Sequence, residues 1–197
     1  MDATERTQIR DVVVDEAEGV LAGVEERWND VPRMDPFTVE PLPGQDDAFP
    51  GSPDEFFDRF YPYAAGTVVT DDDGRVLCVR SEIREVWETP GGAGEDGETP
   101  AETARRETRE ETGVDPELTG VLLTRLMEIH LGEPEKLPVP VVVFTADPAG
   151  GAVLDDDAVA DHGEVTDLAW FGPEELPEAI REREQVLAHQ RAVRDGT

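Results

Sequence analysis

The chain has 197 residues, which suits one domain or one domain with an appendage. Its 47 acidic and 17 basic residues give a formal net charge of −30, and no apolar run approaches the roughly 18 residues of a membrane span. We expect neither nucleic acid nor a membrane as a partner, because binding to either needs Lys and Arg to neutralise phosphate.

The acidic residues are spread along the whole chain, and Lys136 is the only lysine. An acidic patch for a basic protein partner is one interpretation of this composition. The even spread favours another, a resemblance to proteins of extreme halophiles, which work in molar salt. There the Debye length falls to about 3 Å, so that the self-repulsion of the chain is screened.

Cys78 is the only cysteine, which excludes an intramolecular disulfide and a cysteine-based zinc site. It lies within a predicted strand, where we expect it to be a core residue. The acidic first residues lack the basic and apolar regions of a signal peptide. Together these features predict a cytoplasmic protein.

Residues 4–28 are predicted to form an amphipathic helix, because apolar residues recur at spacings of three and four. These residues are Ile9, Val12, Val13, Ala17, Val20, Leu21, Val24 and Trp28. We expect the helix to pack on the main domain. The alternative is a dimerisation helix or a lid, and a homodimer would use this helix or a sheet edge.

Six prolines and few periodic apolar residues predict an irregular linker over 31–53. Five aromatic residues follow, at Phe56, Phe57, Phe60, Tyr61 and Tyr63. They either stack on a base or, as we favour, belong to the core or dock the N-terminal helix. The predicted division is an N-terminal helix and Pro-rich linker over 1–60 and a main domain over 61–197.

Strands and helices interleave in the main domain, which is typical of an α/β layered fold. Runs at 64–70 and 75–80 flank Asp71-Asp72-Asp73-Gly74, which predicts a hairpin. Pro138 and Pro140 indicate an edge or the start of a strand. The later predicted elements are an extended piece leading into Trp87, a helix at 100–112, strands at 118–131, 139–146 and 165–171, a Gly- and Asp-rich loop at 147–163, and two C-terminal helical pieces, the first capped around Pro173.

Local signals bound the helix at 100–112. Thr99 and Glu102 are spaced as a capping box around Pro100, and Gly113 suits the positive φ that follows a helix end. One face of this helix carries small residues that suit close packing on a sheet. They are Ala101, Ala104, Thr108 and Thr112.

The opposite face carries Glu107, Glu110 and Glu111, which stand at i, i+3 and i+4 and therefore converge. Like charges at this spacing cost an isolated helix about 0.2–0.5 kcal/mol a pair, which indicates a cation beside them. Clustered carboxylate oxygens are ligands that Mg²⁺ and Mn²⁺ accept. The helix therefore predicts a divalent-metal site that binds phosphate.

The segment from Gly92 to Val114 resembles the Nudix box. The family's fixed positions are occupied at the family's spacing by Gly92, Glu98, Arg106, Glu107, Glu110, Glu111, Gly113 and Val114. Thr108 stands where the family has an aliphatic residue. We expect it to pack like valine, with its hydroxyl bonded back to the helix and at a small cost in stability.

The resemblance implies a Nudix fold, an α/β/α sandwich with a mixed sheet, here with an N-terminal helical extension. It also implies a hydrolase that depends on Mg²⁺, with Mn²⁺ as a substitute, and cleaves the diphosphate linkage of a small nucleotide-type substrate. The expected substrate is a nucleoside diphosphate linked to another moiety, as in ADP-ribose, with nucleoside triphosphates as the second class.

The resemblance assigns Glu107, Glu110 and Glu111 to the metal, with Glu98 contributing from the preceding loop. It gives Arg106 the role of orienting these glutamates through charge-assisted hydrogen bonds.

The resemblance leaves the general base open between a box glutamate and an acid from another loop. Glu107 is the first candidate, and Glu164, with Asp161 beside it, is the second. The implied catalytic residues are therefore Glu107, Glu110, Arg106 and Glu164.

Two alternatives belong to other functional classes. A non-catalytic Nudix-fold sensor or interaction protein usually has eroded box glutamates, whereas this box is complete. The related isoprenoid diphosphate isomerases pair an altered box with a catalytic cysteine, but Cys78 lies well before the box in a predicted buried strand.

Stability and activity are expected to rise with KCl or NaCl, because added salt screens the repulsion among 47 acidic residues. Urea unfolding and enzyme assays over a salt series from near zero to molar concentrations measure both. An activity maximum near zero added salt would contradict the halophile interpretation.

Overall fold

The computed structural model describes residues 1–41, 46–81, 86–154 and 165–196. Its helices are α1 (Ala3–Arg27), α2 (Pro53–Phe60), α3 (Pro100–Thr112) and α4 (Arg183–Asp195). Its strands are β1 (Phe37–Val39), β2 (Ala64–Val69), β3 (Val76–Ser81), β4 (Trp87–Glu88), β5 (Gly91–Ala93), β6 (Val114–Ile129), β7 (Leu137–Gly151) and β8 (Val165–Phe171). None of the helices in these ranges is long and apolar enough to cross a membrane.

A five-stranded mixed sheet in the order β1-β6-β7-β2-β5 forms the centre of the fold, and a three-stranded antiparallel sheet β4-β3-β8 accompanies it. In the mixed sheet β1 is parallel to β6 and β2 is parallel to β7. Alternate residues of β7 face different layers. Phe144 packs with Leu21 of α1 and Ala104 of α3, whereas Val143 packs with Val186 of α4. The predicted α/β/α sandwich with a mixed sheet is confirmed.

The predicted N-terminal helix is also confirmed and packs on the main sheet. α1 begins at a capping box formed by Asp2 and Glu5. Its buried face consists of Ile9, Val13, Ala17, Leu21 and Val24. Near its start, Ile9 shares a core cluster with the fully buried Phe56 of α2. Phe56 and Tyr63, which is 4% exposed, are therefore core residues as favoured, because neither presents a ring face to solvent.

β1 corrects the prediction of an irregular linker over 31–53. Phe37–Val39 pairs in parallel with β6, so that Phe37 lies opposite Met127. Its two apolar residues flank one exposed threonine, an alternation too short to stand out among prolines. The division of the chain after residue 60 stays a prediction, although β1 belongs to the same sheet as strands of the proposed main domain.

The predicted hairpin at 64–80 is confirmed only next to its turn. The Gly74 N–H donates to the Asp71 carbonyl at 2.9 Å, and Thr70 forms a β-bridge with Val76. The strands then separate into different sheets. β7 and β5 occupy the two edges of β2, so β3 pairs with β4 and β8 instead.

Two further predicted boundaries change. β7 continues to Gly151, inside the predicted loop at 147–163, because its last residues pair with the start of β6. Turns replace the first C-terminal helical piece after Pro173. Pro177 explains this difference, since it lacks an N–H and disfavours helical backbone at the residue before it.

Two predictions about single residues are confirmed. β7 begins at Leu137, so Pro138 and Pro140 lie at a strand start, ahead of Val141, where pairing with β2 begins. Cys78 is fully buried in β3, and burial raises the pKa of its thiol to about 12.

α3 lies against β2 through its small residues, and Thr108 is central to this contact. Thr108 is fully buried, and its hydroxyl oxygen lies 2.6 Å from the Ala104 carbonyl, as the back-bonding prediction requires. The same hydroxyl lies 2.7 Å from that of Thr67 in β2, which is also fully buried. The position that is aliphatic in the family is thus part of a buried hydroxyl pair, which offsets the small cost in stability expected for threonine there.

Thr108→Val is expected to lower the free energy of unfolding by about 1–2 kcal/mol, because it leaves the buried Thr67 hydroxyl without this partner. Thr67→Val combined with Thr108→Val should recover much of the loss, since removing both members of a hydrogen-bonded pair is nearly neutral. Urea unfolding at fixed KCl measures the cycle. A double variant less stable than Thr108→Val would contradict this account.

Candidate active site

α3 packs its small residues on the sheet and turns Glu107 and Glu111 toward the edge strand β5. The helix begins with the predicted capping box, in which Thr99 accepts from the Glu102 N–H and Glu102 accepts from the Thr99 N–H. It ends at Gly113, whose φ of 75° is the left-handed conformation expected there. Both predicted boundaries are confirmed. The buried positions are Thr103, Ala104, Thr108 and Thr112.

The guanidinium of Arg106 holds the box carboxylates together. Its Nε donates to Glu98 Oε1 at 2.9 Å, and its Nη1 donates to Glu107 Oε1 at 2.8 Å and to Glu110 Oε2 at 3.1 Å. Its Nη2 donates to Glu98 Oε2 at 3.1 Å and to the Ala93 carbonyl at 3.0 Å. One cation therefore joins three of the predicted glutamates to strand β5.

These contacts keep Glu98 and Arg106 ionised. The hydrogen bond from Arg106 is the main cause that lowers the pKa of Glu98 to about 2, against a smaller opposing effect of burial. The same hydrogen bond to Glu98 raises the pKa of Arg106 above its ordinary value. Both groups are therefore charged throughout the neutral pH range.

The glycines of β5 lie directly on the carboxylates. The Gly91 N–H donates to Glu111 Oε2 at 2.8 Å. A Cβ at Gly92 would stand 2.5 Å from the carboxyl carbon of Glu107, closer than real side-chain atoms approach. Glycine at this first box position therefore lets the strand lie against the helix at the level of Glu107.

The donor chemistry of this cluster fits a divalent cation. Glu107, Glu110 and Glu111 supply carboxylate oxygens from one helix face. Within the ranges that the structure covers, no three His, Cys, Asp or Glu side chains converge on one point. Glu107 and Glu110 are instead turned to Arg106, so binding a metal requires their carboxylates to rotate.

The structure thus brings Glu98, Arg106, Glu107 and Glu110 together. Glu111, on the same helix, accepts a hydrogen bond from β5. Glu164 and its neighbour Asp161 lie outside the described residues, so this candidate base stays a prediction.

Two residues at the site were not predicted from the sequence. The Tyr63 hydroxyl lies 2.8 Å from the Glu98 carbonyl oxygen, and the Thr103 hydroxyl donates to Glu98 Oε2 at 2.7 Å. Tyr63 precedes Glu98 by 35 residues, and no sequence pattern joins them. The aromatic cluster at 56–63 drew attention to Tyr63, but as a core or stacking residue.

Comparison with known proteins places this geometry in a family. The NUDIX domain model matches residues 60–191. A MutT-like protein of Streptomyces ambofaciens is 34% identical over 118 residues, which cover 58% of this chain and 66% of that protein. An RNA pyrophosphohydrolase of Halorhodospira halophila is 45% identical over 65 residues, which cover 33% of this chain and 35% of that protein. The chain thus spans between about a third and two thirds of the length of these curated relatives.

A solved structure shows the same fold. A NUDIX-family hydrolase from Clostridium perfringens is 18% identical, with a TM-score of 0.50, over 69% of this chain and 98% of that one. The family match extends over more than half of the chain and includes β2, β5, β6 and β7 of the mixed sheet, α3 and the carboxylates around Arg106. The chain therefore belongs to the NUDIX domain family.

Proposed function

We propose that this protein is a Mg²⁺-dependent hydrolase that cleaves the diphosphate linkage of a nucleoside diphosphate linked to another moiety, as in ADP-ribose. Nucleoside triphosphates are the second substrate class. The observation that carries the proposal is the complete set of box carboxylates gathered around Arg106 and against β5. A family member that had lost catalysis would have no need to keep this set.

In this proposal Glu107, Glu110 and Glu111 hold one or more Mg²⁺ ions, and Glu98 contributes from the loop. Mn²⁺ is the expected substitute. When bound, the metal neutralises the diphosphate and lowers the pKa of a water molecule. Arg106 keeps the carboxylates oriented, since it already contacts Glu98, Glu107 and Glu110.

The protein's own part in the reaction is to position water and to take its proton. Water attacks one phosphorus in line, a bridging P–O bond breaks, and the two phosphate products leave. The proton goes to a carboxylate, either Glu107 or Glu164. Glu107 is the first candidate for this role, since it stands among the box carboxylates and has only 13% of its side chain exposed.

Net charge narrows the substrate class. The Halorhodospira halophila relative is named an RNA pyrophosphohydrolase. A chain with a net charge of −30 has few cations with which to bind a polyanionic RNA, whereas a nucleotide-sized molecule carries little charge beyond the diphosphate that the metal neutralises. We further propose that the substrate is a small molecule, that the protein is cytoplasmic and prefers high salt, and that it forms a homodimer.

A pair of arginines offers a contact for the rest of the substrate. Arg125 and Arg181 place their guanidinium carbons 4.1 and 5.7 Å from the ring centroid of Phe37. Arg181 is half exposed and reaches within 3.9 Å of Glu88. Glu88 precedes Gly91 by three residues, a span of about 10 Å, so Arg181 stands within reach of a molecule whose diphosphate lies at Glu111.

Arg181→Ala is expected to raise KM about tenfold with little change in kcat, because it removes one charge-assisted contact to a part of the substrate that does not react. Steady-state kinetics on the best substrate measure both constants. Arg191→Ala, at an exposed arginine of α4, is the matched control. An unchanged KM in Arg181→Ala would remove this residue from the substrate site.

Glu111→Gln is expected to lower kcat by about 100-fold or more, the scale of losing several kcal/mol of charge stabilisation. The assay incubates wild type and variant in molar KCl with Mg²⁺ and ADP-ribose, nucleotide sugars, dinucleoside polyphosphates or nucleoside triphosphates. Metal-dependent release of a nucleoside monophosphate supports the proposal and identifies the substrate. Glu184→Gln, at an exposed glutamate of α4, should retain wild-type turnover.

A non-catalytic Nudix-fold ligand sensor or interaction protein is the alternative function. If the wild type binds a panel compound but shows no turnover at every salt concentration tested and with both metals, this alternative is favoured over the hydrolase.

A further inference from the structure

Tyr63 stands beneath the loop that leads into α3 and contacts it at several points. We propose that Tyr63, acting through Thr103, is a positioning residue that sets how well the box carboxylates bind a divalent cation. The inference deepens the proposed function and rests on it. Tyr63 is 4% exposed, and the Gly94 N–H donates to its carbonyl at 2.9 Å. The backbone of Gly94 lies directly against the Tyr63 ring, since a Cβ there would collide with it.

The hydroxyls of Tyr63 and Thr103 hold Glu98 at both of its ends. The Tyr63 hydroxyl lies 2.8 Å from the Glu98 carbonyl oxygen and 3.1 Å from Thr103 Oγ1. Thr103, which is fully buried, donates to Glu98 Oε2 at 2.7 Å. The backbone and the carboxylate of Glu98 are thus fixed by one buried hydroxyl pair.

The proton count shows which contacts are strongest. Two hydroxyl protons serve three contacts, and a carbonyl or carboxylate oxygen only accepts. The charged carboxylate of Glu98 takes the Thr103 proton, since a bond to an ion is about twice as strong as a neutral one. The Tyr63 proton is then shared between the Glu98 carbonyl and Thr103 Oγ1. Without the phenol, the Glu98 carbonyl and Thr103 Oγ1 lose the donor that they share, so both ends of Glu98 are held less firmly.

The position of Glu98 affects the metal-binding carboxylates through Arg106. Both of its oxygens accept from Arg106, which aligns the plane of the guanidinium. The remaining Arg106 nitrogen, Nη1, is the one that contacts Glu107 and Glu110. A shift of Glu98 therefore moves the guanidinium of Arg106. Glu107 and Glu110 contact this guanidinium, so their orientation toward a metal changes with it.

Packing alone does not account for a tyrosine at this position. The ring belongs to the core cluster that contains Leu21, Val24 and Phe144, where phenylalanine would fill the same space. A hydroxyl at such a depth costs free energy unless it is hydrogen-bonded, and its partners here are both in the box loop and α3. The polar atom of Tyr63 is thus directed at Glu98.

The test is a titration of the full-length protein with Mn²⁺ in molar KCl, followed by the EPR signal of free Mn²⁺. Tyr63→Phe is expected to raise the Kd for Mn²⁺ about tenfold, the lower end of the effect of losing a partner outside the ligand shell. Tyr61→Phe removes the only other tyrosine hydroxyl of the chain and is expected to leave the Kd unchanged.

Thr103 provides an independent arm. Thr103→Val should weaken Mn²⁺ binding as Tyr63→Phe does, because it removes the hydroxyl that reaches Glu98. Thr103→Ser keeps that hydroxyl and should restore an affinity near the wild-type value. A purely structural role predicts instead that both Thr103 variants, which lose a buried methyl or a hydroxyl, bind Mn²⁺ according to their melting temperatures.

The outcomes separate this inference from the proposed function. A wild-type Kd in Tyr63→Phe, or a Kd that follows the melting temperature through all variants, would overturn the role of Tyr63. If the wild type binds Mn²⁺ but hydrolyses nothing, the hydrolase proposal is wrong, and a tenfold weaker Kd in Tyr63→Phe still supports the positioning role. If the wild type binds no Mn²⁺, both are wrong.

Discussion

One guanidinium makes the acidic face of α3 compatible with a folded helix. Glu98, Glu107 and Glu110 would repel one another at their observed spacing, and Arg106 contacts all three within 3.1 Å. Other features of the site follow from this arrangement. Strand β5 can lie against the cluster because it lacks side chains at Gly91 and Gly92, and the buried face of α3 is made of small residues that keep the helix close to β2.

The helices outside the box pack on both faces of the mixed sheet. α1 and α3 share a core cluster on one side of the mixed sheet, and α4 covers the other side. Arg125 of β6 donates to Glu182 at 2.9 Å, which ties the start of α4 to the sheet. Arg181 and Phe37 lie far apart in sequence, and the fold brings them together.

Elements with local signals could be predicted, and elements defined by distant partners could not. α3 has a capping box at Thr99 and a glycine at residue 113, so both of its ends could be predicted from the sequence. β2 and β3 separate because β5 and β7 pair with β2, and no residue in the turn at 71–74 indicates these distant partners. The contact of Tyr63 with Glu98 is long-range in the same sense, and its partners carry no shared motif.

The topology also bears on how the protein reaches its native state. β6 and β7 are consecutive strands that form a long antiparallel ribbon, so their pairing closes only a short loop. β2 must instead join β7 in parallel, with residue 64 opposite residue 141, and β5 then pairs with β2. Such distant pairings carry a large loop-closure entropy and form slowly. Within the described strands, β5 joins the sheet only through β2. This strand, whose glycines lie against the carboxylates, is therefore expected to dock on the β6–β7 ribbon late in folding.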